Sequence, residues 1–342
     1  MKMSRRQALA LTGSIGAAAL AAEGAGATAA ATSPARDRAV PSGRADGVLT
    51  GGSRRIALSS GHEVWVKQIG HGAIPVLTLH GGPGATHFYL ECFEDFLPRD
   101  KLRYWYYDQL GCGFSDRPND TSLWTVERFR AEVEEVRAAL GLERFVLYGH
   151  SWGGLLAIEY TLAYPQHVDR LVISSMTASY PSYARNAAKI RASLPAEVRA
   201  AMDRFEAKGA TDSQEYEELL IANLYSKYVC RLDPWPEPVT RAFQNLSQVV
   251  YNTIQGPSEF TITGNAKDWD RFADLHKIAA PTLLIVGRYD EMPLADVQRM
   301  ATLIPNSKLA ICENGSHMCM YDDQQAYFDA LVPFLLTGRE TT

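Results

Sequence analysis

Ser151 lies in Gly149-His150-Ser151-Trp152-Gly153, a G-x-S-x-G spacing. A serine hydroxyl is a weak nucleophile, and it needs a base beside it and a sharp turn to present it. Glycines two positions to either side leave out the side chains that would collide in such a turn. Phe145-Val146-Leu147-Tyr148 before the motif reads as a strand, and Leu155 to Tyr164 after it as a helix. A bare five-residue pattern would equally suit a helix N-cap. The strand-to-helix setting selects the nucleophile reading.

Histidine is the usual base for such a serine, and the chain has eight. His317 is the strongest candidate, because Asn314-Gly315-Ser316-His317 follows the last apolar strand, Lys308 to Cys312. His150 adjoins the serine but faces elsewhere on a sharp turn, and His80 opens a glycine-rich loop that it helps to shape. Asp290 closes Gly287-Arg288-Tyr289-Asp290 after the strand Thr282 to Val286, where a carboxylate could orient the base. Glu291 is its immediate rival. Asp108 also follows a strand but precedes the nucleophile. The order Ser, Asp, His along the chain is that of an α/β-hydrolase. Two backbone donors for a developing oxyanion are expected at Trp152, which opens a helix, and at Gly82 in His80-Gly81-Gly82-Pro83-Gly84. No cofactor is called for. A metal site of Cys312, His317 and Cys319 would lack a fourth ligand nearby.

These groups need a scaffold that gathers strand ends. Apolar runs at Ile74 to Leu79, Leu102 to Tyr107, Phe145 to Tyr148, Leu171 to Ile173, Thr282 to Val286 and Lys308 to Cys312 alternate with helical patterns. The clearest helix is Thr125 to Leu140, with Val126, Phe129, Val133, Val136 and Leu140 on one side and Gly141 as its stop. His62 to Lys67 alternates as a half-exposed strand does. Such alternation implies an α/β fold with a mostly parallel, doubly wound sheet. From 178 to 267 the pattern breaks into helical segments without a clear strand. That stretch reads as a helical cap inserted between core segments 54–177 and 268–342.

Hydrophobic residues make up 46% and charged residues 21%, with a formal net charge of -5. That composition supports a globular core without metal or disulfide staples. No basic run follows the first six residues, which argues against nucleic acid or anionic membrane as partners. Arg5-Arg6 precedes a mildly apolar stretch, Ala8 to Ala22, too short to span a bilayer. This pattern predicts a twin-arginine export signal over 1–31, cleaved after Ala25-Gly26-Ala27 or Ala29-Ala30-Ala31, and hence a periplasmic or secreted protein. Residues 32–53, rich in Pro, Gly, Ser and Arg, read as an unstructured leader. The five cysteines leave at least one thiol unpaired, and Cys312 and Cys319 are close enough in sequence to pair.

His80-Gly81-Gly82-Pro83-Gly84, Asp108-Gln109-Leu110-Gly111-Cys112-Gly113 and Gly149-His150-Ser151-Trp152-Gly153-Gly154 together resemble the proline iminopeptidases. The likeness runs from about Arg54 to Leu336. Gly256-Pro257-Ser258-Glu259-Phe260 and Gly264 to Asp270 resemble the cap-to-core junction of the tricorn-interacting aminopeptidases and L-amino-acid amidases, and Arg231 to Glu237 resembles their cap. The resemblance implies that Glu259 and Glu291 bind the free amine of a peptide or amino-acid amide substrate. Two carboxylates in a partly dry site would hold an ammonium by charge-assisted hydrogen bonds. The competing readings are a carboxylesterase with the same three residues and a non-catalytic binding module on this fold.

Overall fold

The computed structural model describes residues 44–45 and 48–337. The stretch read as an export signal, 1–31, lies outside the described residues, as do 32–43, 46 and 47 of the leader. Within the leader, β1 (Arg44–Ala45) and β2 (Val48–Leu49) pair antiparallel, and β3 (Ser53–Ala57) begins at its last residue. The structure thus departs from the leader reading at that end. Strands of two residues carry no periodicity by which the sequence could show them.

The main sheet has eight strands in the order β10-β9-β8-β7-β5-β6-β4-β3. Its members after β3 are β4 (Glu63–Gly70), β5 (Ile74–Leu79), β6 (Leu102–Asp108), β7 (Phe145–His150), β8 (Val168–Ser174), β9 (Thr282–Gly287) and β10 (Ser307–Cys312). From β6 through β10 all neighbours are parallel, while β4 joins β6, and β3 joins β4, antiparallel. The central strands β5, β7 and β9 are buried at every position, as strands covered on both faces must be. Half-exposed β4 buries Val64, Val66 and Ile69 and turns Glu63, Trp65 and Lys67 outward.

The helix Val126–Leu140 covers the sheet with Phe129, Val133, Val136 and Leu140. Thr125 caps its start, and Gly141, at φ 67, ends it in the left-handed conformation. Between β8 and β9 lie the helices Tyr180–Ala192, Ala196–Ala207, Gln214–Leu220, Glu237–Gln244 and Gln248–Ile254. The segment that carries them meets the strand-end loops: Ser247 N donates to Gly84 O at 2.8 Å, and His317 N donates to Tyr228 O at 2.9 Å. Among the described residues no helix is long and apolar enough to cross a membrane.

Strand order decides where a site forms. β5 has β6 on one flank and β7 on the other, so the chain leaves it in one direction and resumes in the other. Such a reversal opens a crevice at the carboxyl ends of the strands. Leu79 pairs with Gly149 there, which puts the loop after β5 beside the turn after β7.

Candidate active site

Ser151 takes φ 56 and ψ −128 between β7 and the helix Trp152–Ala163. A residue with a side chain holds that conformation at a cost of about 1–3 kcal/mol, so the surroundings must over-determine it. They do. Ser151 N donates to Ser174 O at 2.9 Å. A Cβ at Gly149 would lie 2.1 Å from Gly153 O, and one at Gly153 would lie 2.1 Å from Leu79 O. The glycines therefore serve close approach of strand, turn and helix.

His317 Nδ1 donates to Asp290 Oδ1 at 2.9 Å, and Met292 N donates to the same oxygen at 3.0 Å. The imidazole proton on Nδ1 is thereby committed, and Nε2 is left for exchange with a hydroxyl. Ser151 Oγ makes no hydrogen bond to it. The loop is held through its backbone. His317 O accepts from His150 Nε2 at 2.9 Å and from Ser175 Oγ at 3.1 Å. Since a carbonyl can only accept, His150 carries its proton on Nε2, and its Nδ1 accepts from the Tyr89 hydroxyl at 3.1 Å. Tyr89 in turn accepts from Gly81 N at 2.5 Å. One line of hydrogen bonds thus joins the loop after β5 to the loop that carries His317.

The expected oxyanion donors sit on either side of the serine. Gly81 N is taken by Tyr89, while the N–H groups of Gly82 and Trp152 have no partner among the described residues. Gln109 positions both: its Nε2 donates to His80 O at 2.9 Å, and its Oε1 accepts from Trp152 Nε1 at 2.9 Å. His80 Nε2 accepts from Gln109 N at 3.1 Å, so its Nδ1 proton faces Gly81 O at 2.9 Å. Burial lowers the His80 pKa and keeps this bridge neutral. Asp108 accepts from His87 N and Phe114 N, both at 2.9 Å, and from His87 Nδ1 at 2.8 Å. A Cβ at Gly113 would strike the Asp108 carboxylate. The Asp-Gln-x-Gly-x-Gly segment is the brace of the loop rather than a reacting group.

Glu259 and Glu291 both reach this place. Glu259 accepts from the hydroxyls of Tyr183 at 2.6 Å and Tyr251 at 2.8 Å, and from Gln255 Nε2 at 3.2 Å. Glu291 is fully buried, with Oε1 3.0 Å from His317 Nδ1, and neither of its oxygens accepts a hydrogen bond. Burial raises both glutamate pKa values, Glu291 strongly, and the His317 charge opposes that rise in both. Asp290 goes the other way: burial opposes its charge, but the His317 charge and hydrogen bond and the Met292 N–H outweigh burial and lower it. Burial works against a charge on His317 too, yet Glu291 and Asp290 push its pKa up to about 10. The acids nearest His317 are therefore Asp290 and Glu291. The set of Cys312, His317 and Cys319 does not gather as ligands among the described residues, and both thiols are free and buried.

Residues 74–324 match the family described as the alpha/beta hydrolase fold. The proline iminopeptidase of Flavobacterium johnsoniae is 41% identical over 277 residues, covering 80% of this chain and 93% of the relative. The chain belongs to the proline iminopeptidase family of α/β-hydrolases. The crystal structure of the proline iminopeptidase of Mycobacterium smegmatis superposes with a TM-score of 0.74 at 32% identity, covering 83% of this chain and 97% of that one. That of VinJ gives 0.78 at 30% identity, with the same coverage. Membership agrees with the resemblance carried by the three glycine-rich motifs.

Sequence reasoning missed Tyr89, Ser175, Tyr183, Tyr251 and Gln255. Ser175 is a second non-glycine residue at positive φ, 50°, directly after a parallel strand. Its neighbour sequence Ser174-Ser175 gives no sign of that. The three tyrosines are core residues as well.

Proposed function

We propose that this chain is a serine aminopeptidase that releases N-terminal proline, or a related first residue, from peptides. Ser151 Oγ attacks the carbonyl of that residue and His317 Nε2 takes its proton. The oxyanion meets the N–H groups of Gly82 and Trp152. His317 passes the proton to the leaving amine, the peptide bond breaks, and an acyl-enzyme remains. Water attacks next, with His317 again as base, and frees Ser151. Asp290 holds the imidazole tautomer throughout.

The observation that carries this reading is the pair of carboxylates near the base, fully buried Glu291 and part-buried Glu259. A plain esterase has no use for them. An N-terminal proline presents a secondary ammonium with two N–H donors, one for each acid. Amino-acid amides share that head group and are expected to react as well. The Arg5-Arg6 pair and the apolar stretch after it support export by the twin-arginine route.

A panel of prolyl and other aminoacyl arylamides, amino-acid amides and aryl esters, each with free and acetylated amine, tests the proposal. Free-amine substrates should be strongly preferred. Equal turnover of acetylated and free substrates would replace the aminopeptidase with an acyl hydrolase.

A further inference from the structure

A serine, a histidine and one carboxylate suffice for the chemistry above, and Asp290 already receives the imidazole N–H. Glu291 is surplus to that arrangement. Its side chain is wholly buried and neither oxygen accepts a hydrogen bond, while Asn186 Nδ2 fixes its backbone carbonyl at 2.8 Å. A buried carboxylate without donors is costly to keep charged, so a charge on Glu291 depends on a cation beside it. The only cation in ion-pair reach of it among the described residues is His317 itself.

The other groups around the imidazole do not relieve this. From the cap, Glu259 adds negative charge and already accepts from neutral Tyr183, Tyr251 and Gln255, with room for one more donor. From β7, His150 packs edge-on with ring centroids 4.9 Å apart. Burial and the His317 charge push its pKa down to about 3, so it stays neutral. Burial also raises the thiol of Cys319, and Asp322 lies beneath, engaged with Ser316 N at 2.9 Å. The site therefore sets its carboxylates against one imidazolium.

We propose that Glu291 is a positioning residue that holds His317 as an imidazolium in the empty site and is drawn off by the ammonium of an incoming substrate, which frees His317 to act as base. The inference rests on the reading of Glu259 and Glu291 as the amine site. Once the substrate's ammonium lies between the two glutamates, the imidazolium faces a second cation and loses its ion pair with Glu291. The Nε2 proton passes to water, the Nδ1 proton stays on Asp290, and a neutral imidazole faces Ser151. Amine recognition then switches the base on as well as anchoring the substrate.

The test uses the full chain with ring-labelled histidine and Ser151→Ala, so that ligand survives. His317 is assigned by loss of its signal in a His317→Gln control, and its ring is titrated by NMR alone, with prolinamide and with N-acetylprolinamide. The free imidazolium should persist into alkaline pH, and prolinamide should lower its midpoint by at least about one unit, with no such shift from the acetylated ligand. If prolinamide binds by calorimetry yet leaves the midpoint unmoved, the gate is refuted while the amine site stands. If both ligands bind equally, the amine reading itself fails. A second arm measures kcat/KM against pH for an aryl acetate in wild type and Glu291→Gln. The acid limb should move to lower pH in the variant, raising the rate at pH 7 by about tenfold per unit of movement. A variant slower at every pH, with its limb unmoved, would make Glu291 merely structural.

Discussion

Glu259→Gln removes one charge from the pocket and keeps the shape. The carboxylate now meets two tyrosine hydroxyls and the Gln255 amide. A glutamine carbonyl can still accept from these, and a tyrosine hydroxyl can turn to accept from the new amide N–H, because phenols serve both roles. The fold should therefore survive. What disappears is a part-buried, charge-assisted contact to the substrate's ammonium, worth about 1.5–3 kcal/mol. That corresponds to a fall in kcat/KM of roughly ten- to two-hundred-fold for a prolyl arylamide. The assay compares this substrate with its N-acetyl form and with an aryl acetate, both of which lack the cation. Their losses should be much smaller, so that the discrimination ratio collapses. Equal losses on all three substrates would show that Glu259 supports the cap and does not read the amine.

Ser151→Ala should abolish turnover and fluorophosphonate labelling while leaving the thermal melt near wild type, since one hydroxyl is lost from a large core; residual near-normal activity would remove the nucleophile assignment. Gly153→Ala forces a Cβ to 2.1 Å from the Leu79 carbonyl oxygen. Backbone on backbone cannot yield cheaply, so destabilisation by about 1–3 kcal/mol or more is expected in denaturant melts, and an unchanged midpoint would contradict the packing argument. Arg5→Lys with Arg6→Lys should hold the precursor in the cytoplasm, read by fractionation and immunoblot; unchanged secretion would sink the export reading.

The parts of the site that were legible share one property: each follows a strand that announces itself locally. Ser151, Asp290 and His317 come after β7, β9 and β10, and those runs are apolar enough to be seen one residue at a time. Glu259 was not legible that way. It sits in the cap, whose helices pack by contacts between distant segments, and only the likeness of its flanking motif to the aminopeptidases singled it out. Glu291 was visible as a rival to Asp290, because two adjacent acids cannot be ranked without knowing which one the imidazole N–H faces. The loop brace built by Gln109 was seen as a family motif, while its physical task needed the positions of His80 and Trp152. Tyr89 was hidden because its partners, Gly81 and His150, come from other elements.

The line of hydrogen bonds from Gly81 through Tyr89 and His150 to the His317 carbonyl has a consequence for how this protein can change. It is a tie-rod of set length between the loop that would receive the oxyanion and the loop that supplies the base. Neither loop can drift without straining the other. Substitutions on the two sides should therefore show epistasis even where they never touch. A variant that loosens Tyr89 would blur both halves at once, and a redesign of this pocket for new substrates has to treat the two loops as one part.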